Sequence, residues 1–355
     1  MSEIATFPLA TLTAAASLAV LLVALLRLPL RRTAGARAAY CLWLMVPAGT
    51  MVALLPAPEH SFALPSITVP AQIEQVIAAA VAAWTGINAP MFFTSYGSLV
   101  WAAGALVMLS FALRRQRRFL DSLGTLAPLP NGTYRGEFAL EPMLVGALRP
   151  RVVLPADFES RYTQEERDFV LAHERAHLVR GDALANAFAT FWLCLCWFHP
   201  LMYWAVERFR FDQELACDAK VLSSTRGRRR RYAHALLKTQ LIGGDAELIA
   251  LPAPFGAQWQ SAHPLRERIR ALKNPLPGGL RHAAGVAVAF VLIATGTFST
   301  WAMQAGPKLA GAGPGEHLAA QTHLPPRNPA SVPAHDTTVA QRCRGNTRSS
   351  GDKVV

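Results

Sequence analysis

The segment from His173 to His177, read HERAH, holds the residues best suited to chemistry. Two histidines four apart share one face of a helix, so both imidazoles can reach one ion. Glu174 then stands beside that ion. In H-E-x-x-H sites this glutamate is not a ligand; it takes a proton from the attacking water and returns one to the leaving amine. The chemistry expected is zinc-assisted hydrolysis of a peptide bond. The plain alternative is two solvated histidines on a helix surface.

A catalytic zinc that keeps one position open needs a third protein ligand. The acids downstream are Glu207, Asp212, Glu214 and Asp218. Glu214 and Asp218 are four apart and share a face. Glu214 can therefore bind zinc while Asp218 hydrogen-bonds a ligand histidine from behind. Glu207 shares that face seven residues earlier and spacing does not exclude it, although a salt bridge with a nearby arginine suits it better. An oxyanion-stabilising donor is also needed. Tyr232 and His234 qualify by type, but nothing in their spacing selects them, and a structural role suits each better.

The elements that must position these residues are well signalled. Thr163 and Glu166 form a T-x-x-E capping box ahead of HERAH, and Gly181 stands where the helix should stop. Residues 183–206 are apolar and long enough to cross a bilayer. A full crossing would leave the histidines and Glu214 on opposite sides. The stretch is therefore expected to be a hairpin broken near His199-Pro200. Cys194 and Cys196 within it read as core filler rather than soft-metal ligands.

Composition supplies the wider setting. Of 355 residues, 52% are hydrophobic and only 16% charged, against roughly 25% charged in an average soluble domain. Five cysteines, an odd number set mostly in apolar surroundings, do not form a disulfide framework. Apolar runs at 7–26, 38–56 and 94–113, with a last one in 282–304, each suit a transmembrane helix. The net charge is +12, and the arginines decide the orientation. Arg27, Arg31, Arg32 and Arg37 link the first two runs, and Arg114, Arg115, Arg117 and Arg118 follow the third. Both sets belong on the cytoplasmic side. The link 57–93 carries no Lys or Arg and reads as external, with a short apolar helix at 72–84.

The expected fold class is thus mainly α: a polytopic membrane protein with about four transmembrane helices. Residues 1–118 hold the first three, and 119–281 form a cytoplasmic metallopeptidase domain before the last span. Residues 305–355, rich in Gly, Pro and Ala, read as a disordered external tail. The match to S-x-x-K at Ser350–Lys353 lies in that tail and is ascribed to chance. The run RGRRRR at 226–231 suits anionic phospholipid headgroups or a solvated loop; no direct nucleic-acid binding is expected.

Several of these stretches resemble the BlaR/MecR-type sensor-transducer metallopeptidases, which are membrane gluzincins more distantly similar to the Ste24 and HtpX proteases. The residues that carry the resemblance are RRQRRF after the third span, EPMLVGALRPRVVLP (141–155), LAHERAHLVRGDALAN (171–186), WFHPLMYWA (197–205), FDQELACDAKVL (211–222) and LRERIRAL (265–272). The resemblance implies that His173, His177 and Glu214 are the Zn2+ ligands and Glu174 the catalytic base. It implies that Asp218 orders the site from behind, with Asp182 a further residue of that kind. It implies a zinc metalloendopeptidase in a bacterial plasma membrane, acting on itself or on a cytoplasmic transcriptional repressor. The lipid bilayer is a partner, and a homodimer is left open. Family members that sense beta-lactams carry a large external domain after the last span. Here a short tail is expected there, so the sensor would be a partner, the 57–93 loop or the lipid. Two competing functions are an HtpX-like quality-control protease and a non-catalytic receptor with a structural zinc.

Overall fold

The computed structural model describes residues 9–55, 95–225, 227–244 and 262–302, all within one compact unit. The expected outer helix at 72–84, the tail at 305–355 and its S-x-x-K match lie outside the described residues. The fold is mainly helical with one small sheet.

Among the described residues, three helices are long and apolar enough to cross a membrane. They are α1 (Leu9–Ala34), α4 (Ser95–Ser122) and, at the end, α11 (Gly279–Ala302). Length alone does not separate a span from a buried core helix; exposure does. On α4 Val107 is 68% and Phe111 61% exposed, and on α11 Val291 is 60% exposed. Faces of that kind suit a membrane, because water would penalise each such side chain by about 1.5–3 kcal/mol.

The run 38–56, expected as one span, is divided into α2 (Ala36–Leu42) and α3 (Met45–Val52). Pro47 has no N–H to offer the carbonyl of Trp43, which instead accepts from Val46 N at 3.2 Å. The helix tightens there by one turn. A second difference concerns the arginines at 27–32. They were expected in a link, yet α1 continues through them to Ala34. Arg27 and Arg31 point from its last turns onto the buried carboxylate of Asp212, at 3.2 and 3.5 Å.

The sheet follows α4. Its strands are β1 (Leu126–Pro128), β2 (Tyr134–Gly136), β3 (Met143–Val145) and β4 (Arg151–Pro155), in the order β1-β2-β4-β3. β2 and β4 are parallel; the outer pairs are antiparallel, with Met143 opposite Val153. After the single turn α5 (Phe158–Arg161) comes α6 (Gln164–Arg180), the helix of HERAH. Leu144, Val152 and Leu154 of the sheet pack with Val170 of α6.

Both signals at the ends of α6 are realised. Thr163 Oγ1 accepts from Glu166 N, and Glu166 Oε2 accepts from Thr163 N at 2.9 Å. Gly181 closes the helix at φ 72°, a left-handed conformation that a side chain would strain. Thr163→Ala is expected to lower stability by about 1 kcal/mol. Burial raises the pKa of Glu166, but Lys238 and the Thr163 N–H outweigh it and lower the value from 4.5 to about 2. A depressed carboxyl stabilises the fold above its unfolded pKa. That contribution should fade as pH falls from 4.5 toward about 2. Thermal unfolding in detergent across this window should show the loss in the parent and not in Glu166→Gln.

The apolar stretch after Gly181 folds back on itself as α7 (Asp182–Leu195) and α8 (Pro200–Ser224), with Pro200 in the first turn of α8. Ser17 Oγ on α1 lies 2.8 Å from His199 Nε2 at the bend. Trp101 Nε1 on α4 donates to Leu195 O at 2.8 Å, satisfying a carbonyl at the end of α7. Cys194 and Cys196 are buried among apolar side chains, and the described cysteines are all free thiols. Two further helices follow among the described residues: α9 (Arg229–Gly244) and α10 (Ala262–Leu272). Phe169 of α6, Val221 and Leu222 of α8, Tyr232 and Leu236 of α9, and Leu272 of α10 form one core. α6 is thereby held between the sheet and α8.

Candidate metal centre

The helix α6 buries His173, Glu174 and His177 completely. The Nε2 atoms of His173 and His177 face each other at 3.0 Å. From α8, Glu214 brings Oε2 to 3.3 Å from His173 Nε2 and Oε1 to 3.4 Å from His177 Nε2. The two helices are linked by the α7 hairpin, so the fold places both halves of the motif on one side of it.

The other ring nitrogens decide what those Nε2 atoms carry. His177 Nδ1 lies 2.7 Å from Asp182 Oδ2. A carboxylate accepts, so Nδ1 holds the proton and Nε2 the lone pair. Gly181 makes this contact: breaking the helix there turns Asp182, the first residue of α7, back toward the histidine. Arg180 also binds both Asp182 oxygens. Burial raises the pKa of Asp182, but His177 and Arg180 outweigh it and hold the group below the usual carboxylate range.

His173 Nδ1 is 2.9 Å from the Tyr232 hydroxyl, which itself donates to Asp218 Oδ1 at 2.6 Å. Burial and then the Asp218 charge push the Tyr232 phenol well above its ordinary pKa, so it stays a donor. The proton order is thus His173 Nδ1–H to Tyr232, and Tyr232 O–H to Asp218. Asp218 was expected to order a histidine directly. It lies 3.4 Å from His173 Nδ1, with the phenol as the shorter link.

Arg268 of α10, almost wholly buried, closes the cluster. Its Nε and Nη2 donate to the two Asp218 oxygens at 2.9 and 2.8 Å, and Nη1 lies 3.1 Å from Glu214 Oε2. Burial alone would raise the pKa of Glu214. Arg268 and both imidazoles more than offset this and hold it far below the usual carboxylate range.

Three lone-pair donors at 3.0–3.4 Å from one another fit a small cation. Zinc bonds of about 2.0–2.2 Å at tetrahedral angles set donor atoms roughly 3.3 Å apart. Cys217 Sγ is also near: with one ligand atom from each histidine it forms a set within 4.8 Å. Glu214 is the better third donor. Burial keeps the Cys217 thiol protonated, and its sulfur lies against Arg180 and Asp182, behind the Nδ1 side of His177.

The remaining candidates fall away from the centre. Glu207 is exposed, and among the described residues it is Asp212 that takes the arginine pairing. His234 is exposed and pairs with Glu166. Tyr232 is committed behind His173, so neither of the two serves an oxyanion. From the basic run, Arg228 and Arg231 pair with Glu165 at the start of α6. Sequence reasoning missed Arg268, Gln213 and Tyr40. Arg268 was one of three arginines in a stretch already noted for its resemblance; nothing local separated it from Arg266 and Arg270. Tyr40 lies in the apolar run 38–56 and belongs to no motif.

Known proteins share parts of this sequence. The chain is 26% identical over 141 residues to the regulatory protein BlaR1 of Bacillus licheniformis, covering 39% of this chain and 23% of that one. It is 26% identical over 102 residues to the methicillin resistance mecR1 proteins of Staphylococcus aureus and Staphylococcus epidermidis, covering 28% of this chain and 17% of each relative. The match thus spans less than a quarter of these relatives' length. The profile of the BlaR1 peptidase M56 family matches residues 8–272, which takes in the α1–α3 segment, the sheet, the histidine pair and Arg268. With most of its length inside that profile, the chain belongs to the BlaR1 peptidase M56 family, a family of metallopeptidases.

Proposed function

We propose that this chain is a membrane-embedded zinc metalloendopeptidase, with His173, His177 and Glu214 as the ligands and Glu174 as the general base. The convergence of two imidazole lone pairs and an ionised carboxylate within 3.0–3.4 Å carries the reading. Zinc in such a site supplies Lewis acidity and an activated water. Glu174 takes a proton from the attacking water and delivers one to the leaving nitrogen. Asp182 and Tyr232 fix the two imidazoles by their Nδ1 atoms, so each ring presents Nε2 to the ion. Arg268 keeps Glu214 ionised and aimed. β3, at the sheet edge against α6, leaves one backbone edge without a strand partner among the described residues. An extended peptide is the ligand such an edge accepts.

The active side is cytoplasmic. Arg27 and Arg31 mark the inner end of α1 by the positive-inside rule, and both pair with Asp212, two residues before Glu214. One relative is named a regulatory protein, which supports regulated cleavage of the chain itself or of a cytoplasmic repressor. Purified parent is expected to hold about one zinc per chain, and a chelator should stop proteolysis until zinc is restored. His173→Ala, His177→Ala and Glu214→Ala should each lose the metal. Full zinc content in all three, or none in the parent, would refute the assignment.

A further inference from the structure

The outer wall of the metal centre is built in part by the N-terminal segment of the chain. Tyr40 lies on α2, and its hydroxyl donates to Asp182 Oδ1 at 3.1 Å. Gln213 Nε2, one residue before Glu214, donates to the same hydroxyl at 3.1 Å. Asn186 Nδ2 in turn holds Gln213 Oε1 at 3.1 Å. The Arg180 guanidinium lies over the Tyr40 ring, 4.9 Å from its centroid. The Tyr40 hydroxyl thus has its donor and an acceptor position filled, both by residues next to candidate ligands. Asp182 Oδ2 serves His177 while Oδ1 serves Tyr40, so the phenol fixes how the carboxylate is turned. One helical turn further on, Trp43 Nε1 donates to Asp212 Oδ2 at 2.9 Å. That contact anchors α2 against α8 beside the site.

We propose that Tyr40 is a positioning residue of the metal centre: from the short helix α2, which follows α1, it orients Asp182, and through Asp182 it aims His177 at the ion. The inference rests on the zinc site proposed above. It implies that a shift of α2 against α6 and α8 is felt at the ligand.

Zinc affinity of the full-length chain, measured by competition with a chelator, tests this. Tyr40→Phe removes one hydroxyl and is expected to weaken zinc binding about five-fold, the equilibrium worth of one net hydrogen bond. Tyr203→Phe is the control. It deletes a comparable hydroxyl bond, to Trp197 O at 2.7 Å, away from the centre, and should leave affinity unchanged. In an Asp182→Ala background, Tyr40→Phe should have no further effect, because the route is gone. A loss of equal size in both backgrounds would mean that Tyr40 acts by general packing, and no loss in either would mean that it does not act at all; each overturns the proposal. Parent protein that binds no zinc fails before any substitution is made, which separates failure of the site from failure of its positioning.

Discussion

Glu174→Gln is expected to lower the rate of peptide hydrolysis about 10²–10⁴-fold, the usual contribution of a positioned acid–base group. The substitution keeps the volume of a fully buried side chain and removes only the capacity to carry the proton. Zinc content should match the parent, because the ligand set does not include Glu174. Thermal unfolding in detergent should also change little. The assay is hydrolysis of casein together with self-cleavage, followed for parent and variant at equal zinc loading. Undiminished hydrolysis by the purified variant would remove Glu174 from the mechanism, whereas zinc-loaded parent without chelator-sensitive hydrolysis would favour the receptor reading, with zinc as a structural element.

The second large effect concerns stability. Arg268 is buried to 2% exposure and neutralises two carboxylates on one face of α8. Removing one partner of a buried ion pair costs about 3–5 kcal/mol, because the charge left behind has neither water nor a counter-ion. Arg268→Met is expected to show a loss of that order in zinc-free protein. Arg268→Met combined with Asp218→Asn should lose less than Arg268→Met alone, since one orphaned charge is then absent. A parent-like unfolding midpoint for Arg268→Met would show that the cluster does not need its cation. Without metal the two acids and Arg268 form a closed triad. With the proposed zinc bound, Glu214 would share its charge between the metal and arginine. The penalty in the variant should therefore shrink when zinc is bound.

Some of this was legible along the chain because it depends on neighbours in sequence. The capping box and Gly181 bound α6 through bonds spanning three or four residues. The i,i+4 spacings of His173 with His177, and of Glu214 with Asp218, place each pair on one face whatever surrounds the helix. Pro200 marks the start of α8 for the same local reason. Apolar length signals α1, α4 and α11, since a bilayer selects on length and polarity alone.

Other features were decided only by tertiary structure. The tightening at Trp43 has a local cause in Pro47, but apolar length alone reads the 38–56 run as one span. Which acid meets the histidines depends on how α8 packs against α6, and four acids shared the sequence signal. That Asp218 works through Tyr232, that Arg268 rather than its neighbours enters the core, and that Tyr40 supports Asp182 all involve contacts 14 to 142 residues apart. Pairings of that range leave no period and no motif. They arise when folding removes several charges from water together, and only the packed structure shows which groups neutralise one another.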